Sequence, residues 1–148
     1  MSVAIVAMAS VFSMIIKGDL PGRFVWRDEQ AVVFLTINPI TPGHVLVVPV
    51  EEVDHWEAIE HGLFDHLTDV ARTLGQALKA GFDAPRAGLM IAGLEVPHLH
   101  LHVFPAYTLE DFSFAKADPD PDPAALDAAA ETIRQTLRDM GHGEYVPE

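Results

Sequence analysis

The apolar positions change period along the chain, and the changes mark out its elements. Residues 24–27 are a short β-rich run, and Asp28, Glu29 and Gln30 follow as a turn. A second run, over 31–37, is rich in Val, Phe and Ile, and Asn38-Pro39 and Thr41-Pro42-Gly43 punctuate its end. Residues 44–50 are so continuously apolar that they predict a strand buried on both faces. The period then lengthens. Leu63, Leu67, Val70, Leu74 and Leu78 recur every three or four residues, which predicts one apolar face of a helix, with Gly81 as its stop. Strand character returns over 88–92 and 98–104, and the short turn at 93–97 between them predicts antiparallel pairing.

The alternating Asp and Pro of 118–123 can enter neither a helix interior nor a central strand, so they read as an extended, charged linker. Asp122 as N-cap and Pro123 at the first helical position then open a helix faced by Leu126, Ala130, Ile133, Leu137 and Met140 and ended at Gly141. That helix is expected to pack back on the sheet or on a second subunit. The resulting fold class is α+β, a mainly antiparallel sheet with helices to one side. At the other end, Met1 to Ile16 is almost wholly apolar but short for a membrane span, and the first Lys, Lys17, follows the run instead of preceding it as a secretory signal requires. The segment reads as a first structural element behind a loose tail, residues 1–9, with Met8 as an alternative start. The domain proper then covers 10–117, the linker 118–123, and a helix and tail 124–148.

Composition narrows the function. At 148 residues one domain with a real core is the natural count. Twenty-two acidic against nine basic residues, a net charge of −13, argue against nucleic acid or an anionic membrane as partner. The absence of cysteine removes disulfides, thiolate metal sites and a cysteine nucleophile together, and is compatible with the cytoplasmic location expected here.

Three of the eight histidines fall in one heptapeptide, His98-Leu99-His100-Leu101-His102-Val103-Phe104. On a strand, alternate side chains share a face, so the three imidazoles project together while Leu99, Leu101 and Val103 enter the core. Two chemistries fit this spacing. Imidazoles at period two can ligate Zn, Cu, Fe or Ni. Equally, one imidazole can attack phosphorus while the others hold phosphate oxygens and move protons. Period alone does not choose. The remaining histidines fit structural roles: His55 beside Trp56 at a helix start or against the sheet, His61 and His66 on different helix faces, and His142 in a flexible Gly-His-Gly tail. The acidic run 118–122 has no EF-hand spacing and reads as solvated linker, not a Ca²⁺ site.

The string Glu95-Val96-Pro97-His98-Leu99-His100-Leu101-His102-Val103-Phe104-Pro105 closely resembles the signature of the histidine-triad (HIT) superfamily of nucleotidyl hydrolases and transferases. Phe34 through the Pro42-Gly43-His44 turn to Pro49 resembles the family's second hallmark, and Val11 to Gly18 its amino-terminal segment. The resemblance implies a five-stranded antiparallel sheet with a long helix, a homodimer paired through that helix and its adjacent strand, and no cofactor. It implies that His100 attacks the α-phosphorus of a nucleoside phosphoramidate or a dinucleoside polyphosphate, forming a covalent nucleotidyl-histidine that water resolves. His98 and His102 would contact phosphate oxygens and assist the leaving group, with His44 supporting them from the neighbouring strand. Val11, Phe12, Phe34, Ile37 and Leu46 would wall the nucleoside pocket.

Several positions depart from the family pattern. Where some members bind structural zinc through Cys-x-x-Cys, this chain has Ser10 and Ser13, with Glu52 at the third ligand position, so no structural zinc is expected. Thr36 stands where a carboxylate commonly grips the ribose hydroxyls. Leu94 and Glu95, in a shortened loop, replace the polar groups that normally meet the leaving group. Two other readings stand beside the nucleophilic one: a nucleotide-binding or scaffold protein with little turnover, and a metal enzyme liganded by His98, His100 and His102, with Glu95 as a candidate further ligand.

Overall fold

The computed structural model describes residues 9–147. A short helix α1 (Val11–Lys17) leads into strands β1 (Phe24–Arg27), β2 (Ala31–Leu35) and β3 (Val45–Pro49). A long helix α2 (His61–Gly81) carries the chain to β4 (Arg86–Met90), which turns into β5 (Leu101–Ala106); helix α3 (Pro123–Asp139) follows after two 3₁₀ turns. The five strands form one antiparallel sheet in the order β1-β2-β3-β5-β4. No helix among the described residues is long and apolar enough to cross a membrane. The α+β class and the five-stranded sheet read from the sequence are therefore present.

The period-two pattern splits the sheet into two faces. Ala31, Val33, Leu35, Val45, Val47, Leu101 and Val103 meet the buried faces of α2 and α3 in the larger core, together with Leu99 just ahead of β5. Val32, Phe34, Leu46 and Val48 point the other way and are covered by Phe12 of α1. The helices are thus not all on one side as the pattern predicted. A seven-residue helix is too short for periodicity to assign it a face, and its docking is decided by a single buried aromatic.

Local chemistry accounts for the helix ends. The Glu60 carboxylate caps α2 by accepting from Gly62 and Leu63 N–H, and Asp122 caps α3 by accepting from Ala124 N–H, with Pro123 first in the helix. Gly81 belongs to the last turn of α2, where a Cβ would lie 3.0 Å from Thr136 Oγ1 of α3. Its role is close helix approach as much as termination.

Two strands differ from their sequence boundaries. The predicted run 88–92 is shifted two residues earlier, because Gly88 is a mid-strand position and not a strand start: a Cβ there would lie 2.4 Å from Phe104 Cζ on β5. The predicted strand 98–104 begins its ladder only at Leu101, opposite Val47. Before it the chain bends at Pro97 and His98, where His98 N–H donates to Val96 O, and does not pair with β3: the Pro49 carbonyl accepts from the ring of His98, and Leu99 N–H turns to Val53 O at 2.7 Å. At the carboxy end the predicted loose tail is folded back. Gly141 reverses the chain at φ +95°, Tyr145 stacks on Trp26 with centroids 4.6 Å apart, His142 lies against the same indole, and Val146 is buried. The 118–123 segment is tied to the β2–β3 loop, where Asp118 N–H donates to Pro39 O and Asn38 Nδ2 donates to Asp118 O. Residues 1–8 lie outside the described residues, and with them most of the expected tail and the Met8 start.

Candidate active site

β3 and β5 bring four histidines together. His44 enters from the turn ahead of β3, His102 sits on β5 opposite Leu46, and His98 and His100 lie in the segment that leads into β5. All four are buried, so their ring nitrogens must find partners inside the protein. Those partners fix each tautomer.

His98 Nε2 lies 2.8 Å from the Pro49 carbonyl, which can only accept, so Nε2 carries the proton. Its Nδ1 therefore accepts, and Ser10 Oγ is the donor at 2.6 Å. His100 Nδ1 lies 2.8 Å from the His98 carbonyl and must donate, which leaves Nε2 without a partner in the protein. At the other side, Ile40 N–H donates to His44 Nδ1 at 3.0 Å, so His44 holds its proton on Nε2. That proton is donated to His102 Nδ1, also at 3.0 Å, and leaves His102 with Nε2–H. The bonds at His44 and His102 each need a nitrogen that accepts, so these two imidazoles are held neutral. Burial supplies the reason: it pushes His44 down to about 3, with nearby His102 adding to the effect, and His102 down to about 4, with His100 adding. Burial also lowers His98, although its bond to the Pro49 carbonyl opposes the shift.

His100 and His102 open onto a cavity of about 690 Å³. All six residues expected at the nucleoside pocket line it: Val11, Phe12, Phe34, Thr36, Ile37 and Leu46. Phe12 sets its edge against Phe34 and His100, with centroids 5.6 and 4.9 Å away. Ile15, Arg23, Asn38, Val96 and Asp127 also line the cavity. These were not singled out in the sequence; Asp127 could not have been, since it comes from α3, about ninety residues beyond Thr36 in the chain. Arg23 Nε and Asp127 Oδ1 form an ion pair of 2.7 Å at this cavity. Of the two loop residues expected near the leaving group, Glu95 lines the cavity and Leu94 does not: Leu94 is 94 % exposed. The turn at 93–97 turns it outward to solvent.

Two further expectations are corrected. His98 does not line the cavity, and both its nitrogens are engaged within the protein, so it has no free nitrogen to offer a phosphate oxygen there. The same fact removes a three-imidazole metal site, because only His100 Nε2 and His102 Nε2 remain uncommitted, and among the described residues no group of His, Asp and Glu is arranged to hold a metal ion. Ser10, Ser13 and Glu52 do come together: Ser10 N–H and Ser13 Oγ both donate to Glu52 Oε1, at 2.9 and 2.7 Å. Two hydroxyls, one carboxylate and an imidazole with both nitrogens engaged are a poor donor set for zinc, and the cluster works instead as a hydrogen-bonded clamp from α1 to His98. Elsewhere, His66 pairs with Asp28 at 2.9 Å, and Trp56 packs against Phe64.

An antiparallel α+β sheet that gathers four buried histidines where β3 meets β5, two of them opening onto a cavity beside the sheet, is the arrangement of a histidine-triad protein. The comparisons agree. The HIT domain profile matches residues 17–109, and the chain belongs to the HIT family, whose members are in general nucleotide-binding hydrolases and transferases. It is 35 % identical over 101 residues to an uncharacterized HIT-like protein of Methanocaldococcus jannaschii, covering 66 % of this chain and 78 % of that one. A HIT-like protein of Azospirillum brasilense is 38 % identical over 103 residues, 64 % of this chain and 84 % of its own. Among solved structures, a zinc-bound histidine triad family protein from Mycobacterium smegmatis superposes with a TM-score of 0.79 at 26 % identity, over 90 % of this chain and 96 % of that one.

Proposed function

We propose that the chain is a nucleotide hydrolase or nucleotidyltransferase that cleaves a bond at an α-phosphorus, in a nucleoside phosphoramidate or a dinucleoside polyphosphate, through a covalent nucleotidyl-His100 intermediate. One observation carries the reading: His100 lines the cavity with its Nδ1 proton held by the His98 carbonyl, so Nε2 is the nitrogen free to meet a phosphorus there, and as the free base it is the nucleophile. Nε2 attacks phosphorus, and the bond to the leaving group breaks. The departing atom keeps the bonding pair and takes a proton from water. As the ring gains positive charge, the Nδ1–H bond to the His98 carbonyl strengthens and stabilises it. A second water then attacks the same phosphorus, releasing the nucleoside monophosphate and restoring His100. His102 donates Nε2–H to a phosphate oxygen, and His44 holds it in that tautomer. Phe12, Phe34 and Leu46 receive the base and ribose, and no cofactor takes part.

The test is hydrolysis of an adenosine phosphoramidate and a diadenosine polyphosphate in excess EDTA, by the wild-type chain and His100→Ala, with acid-quenched samples weighed by mass spectrometry. Expected are EDTA-resistant turnover, a nucleotidyl mass on the wild-type chain, and loss of both in His100→Ala. Nucleotide binding without turnover would favour the scaffold reading, for which Thr36 and Glu95 speak. Turnover abolished by EDTA would overturn the mechanism.

The assembly belongs to the same proposal. β4 is an edge strand with Leu89 half exposed, and a groove runs between it and α2. A second copy pairing there would give a homodimer; light scattering on a sizing column reads the mass.

A further inference from the structure

The charges around the cavity are unbalanced in a way that bears on what leaves the phosphorus. Its lining carries one full cation and two carboxylates, Arg23, Asp127 and Glu95, besides the imidazoles of His100 and His102. Arg23 and Asp127 neutralise each other at 2.7 Å. On the imidazole side the adjoining 3₁₀ turn offers a further cation, Lys116, two residues after Phe114, whose ring packs on His102. Lys116 is held by the buried Asp111 carboxylate, also at 2.7 Å. The neutral tautomers of His44, His98 and His102 contribute no charge. Glu95 is left as the unmatched charge. It is exposed, makes no hydrogen bond or ion pair among the described residues, and sits three positions before His98, on the loop that leads into the triad.

A polyphosphate leaving group would bring several negative charges to a site with one free carboxylate and no uncommitted cation. An amine carrying a second, protonated nitrogen would bring the opposite sign. We infer that Glu95 is a specificity-determining residue that selects nucleoside phosphoramidates whose amine bears a positive charge, and disfavours polyphosphate leaving groups. The inference rests on the reading of His100 proposed above. The step it describes is the same: the His100 Nε2–P bond forms, the P–N bond breaks, and the amine nitrogen keeps the bonding pair and takes a proton from water. Water then releases the nucleoside monophosphate.

Three substrates test it in EDTA at low salt: adenosine 5′-phosphoramidates of propylamine and of ethylenediamine, and diadenosine tetraphosphate. The full chain, Glu95→Gln and Glu95→Lys are compared by kcat/KM. Two opposite charges in a partly solvated cavity are worth about a tenfold preference for the ethylenediamine conjugate over the propylamine one. That ratio is expected to fall to near one in Glu95→Gln. Glu95→Lys is expected to reverse it and to raise the relative turnover of diadenosine tetraphosphate. A ratio unchanged in both variants, or a wild-type chain that prefers the tetraphosphate, overturns the inference while leaving His100 chemistry intact. No turnover of any of the three by the wild-type chain overturns the His100 reading, and this inference with it.

Discussion

Acid should unfold this protein through its active site. His44 and His102 are neutral in the folded chain, held down to about 3 and about 4, while in the unfolded chain each takes a proton near the ordinary value of 6.5. The unfolded state therefore binds more protons as pH falls below that value, and stability falls with it. Between pH 8 and pH 5 each imidazole is expected to cost about 2 kcal/mol, or about 4 kcal/mol together, a large share of the roughly 5–15 kcal/mol that holds a domain folded. Near pH 5 the slope is about 2.7 kcal/mol per pH unit for two protons, and His98, also lowered by burial, adds in the same direction. Asp28, Glu52 and Asp111 are lowered by hydrogen bonds and, at Asp111, by Lys116. Their stabilisation is lost only as pH falls through the carboxylate range, so the window from 6.5 to 5 isolates the imidazoles. Urea unfolding followed by the fluorescence of Trp26, which is buried against Tyr145, measures the curve at each pH. His44→Gln should remove about one proton from the slope, or about 1.4 kcal/mol per pH unit. Stability that is flat between pH 8 and 5, or a slope untouched by His44→Gln, would refute the buried neutral relay.

Further substitutions probe other parts of the site. Phe12→Ala empties the aromatic that covers Phe34 and His100 and should cost about 3 kcal/mol, read as a lower Tm, with a raised KM for nucleotide substrates. Ser10→Ala removes both the cap of α1, whose Ser13 N–H it accepts at 3.0 Å, and the donor to His98; about 1–2 kcal/mol and a fall in kcat are expected, the second from steady-state kinetics. Arg23→Ala breaks a solvent-screened pair, so unfolding should shift by no more than about 1 kcal/mol while KM rises. Gly88→Ala forces a methyl into the ring of Phe104, which itself packs on His44, and should destabilise by about 1–3 kcal/mol in a thermal melt.

The elements were legible wherever a short-range pattern dictates them. The apolar period of α2, the Asp122-Pro123 opening of α3, and the turns at 28–30 and 38–43 each rest on chemistry within a few residues. Gly88 shows the limit: as local punctuation it suggested a strand start, whereas its meaning is the aromatic ring on the next strand. His142 shows it again, since a Gly-His-Gly sequence looks loose until Trp26 and Tyr145 are found beside it.

For the site, the alternation of His98, His100 and His102 with apolar residues determined by itself that the imidazoles share a face and that Leu99, Leu101 and Val103 share the other. It also fixed which side chains are chemically able to attack phosphorus. Sequence spacing did not determine which histidine faces the cavity and which is spent on structure. That depended on the Pro49 carbonyl and Ser10 hydroxyl meeting His98, on the His98 carbonyl meeting His100, and on Ile40 N–H fixing His44. A tautomer is set by what each ring nitrogen touches, and those contacts join residues as far apart as 10 and 98 in the chain. The arrival of Asp127 from α3 is of the same kind. Only the folded arrangement brings such partners within hydrogen-bonding distance, and so only tertiary structure could assign them.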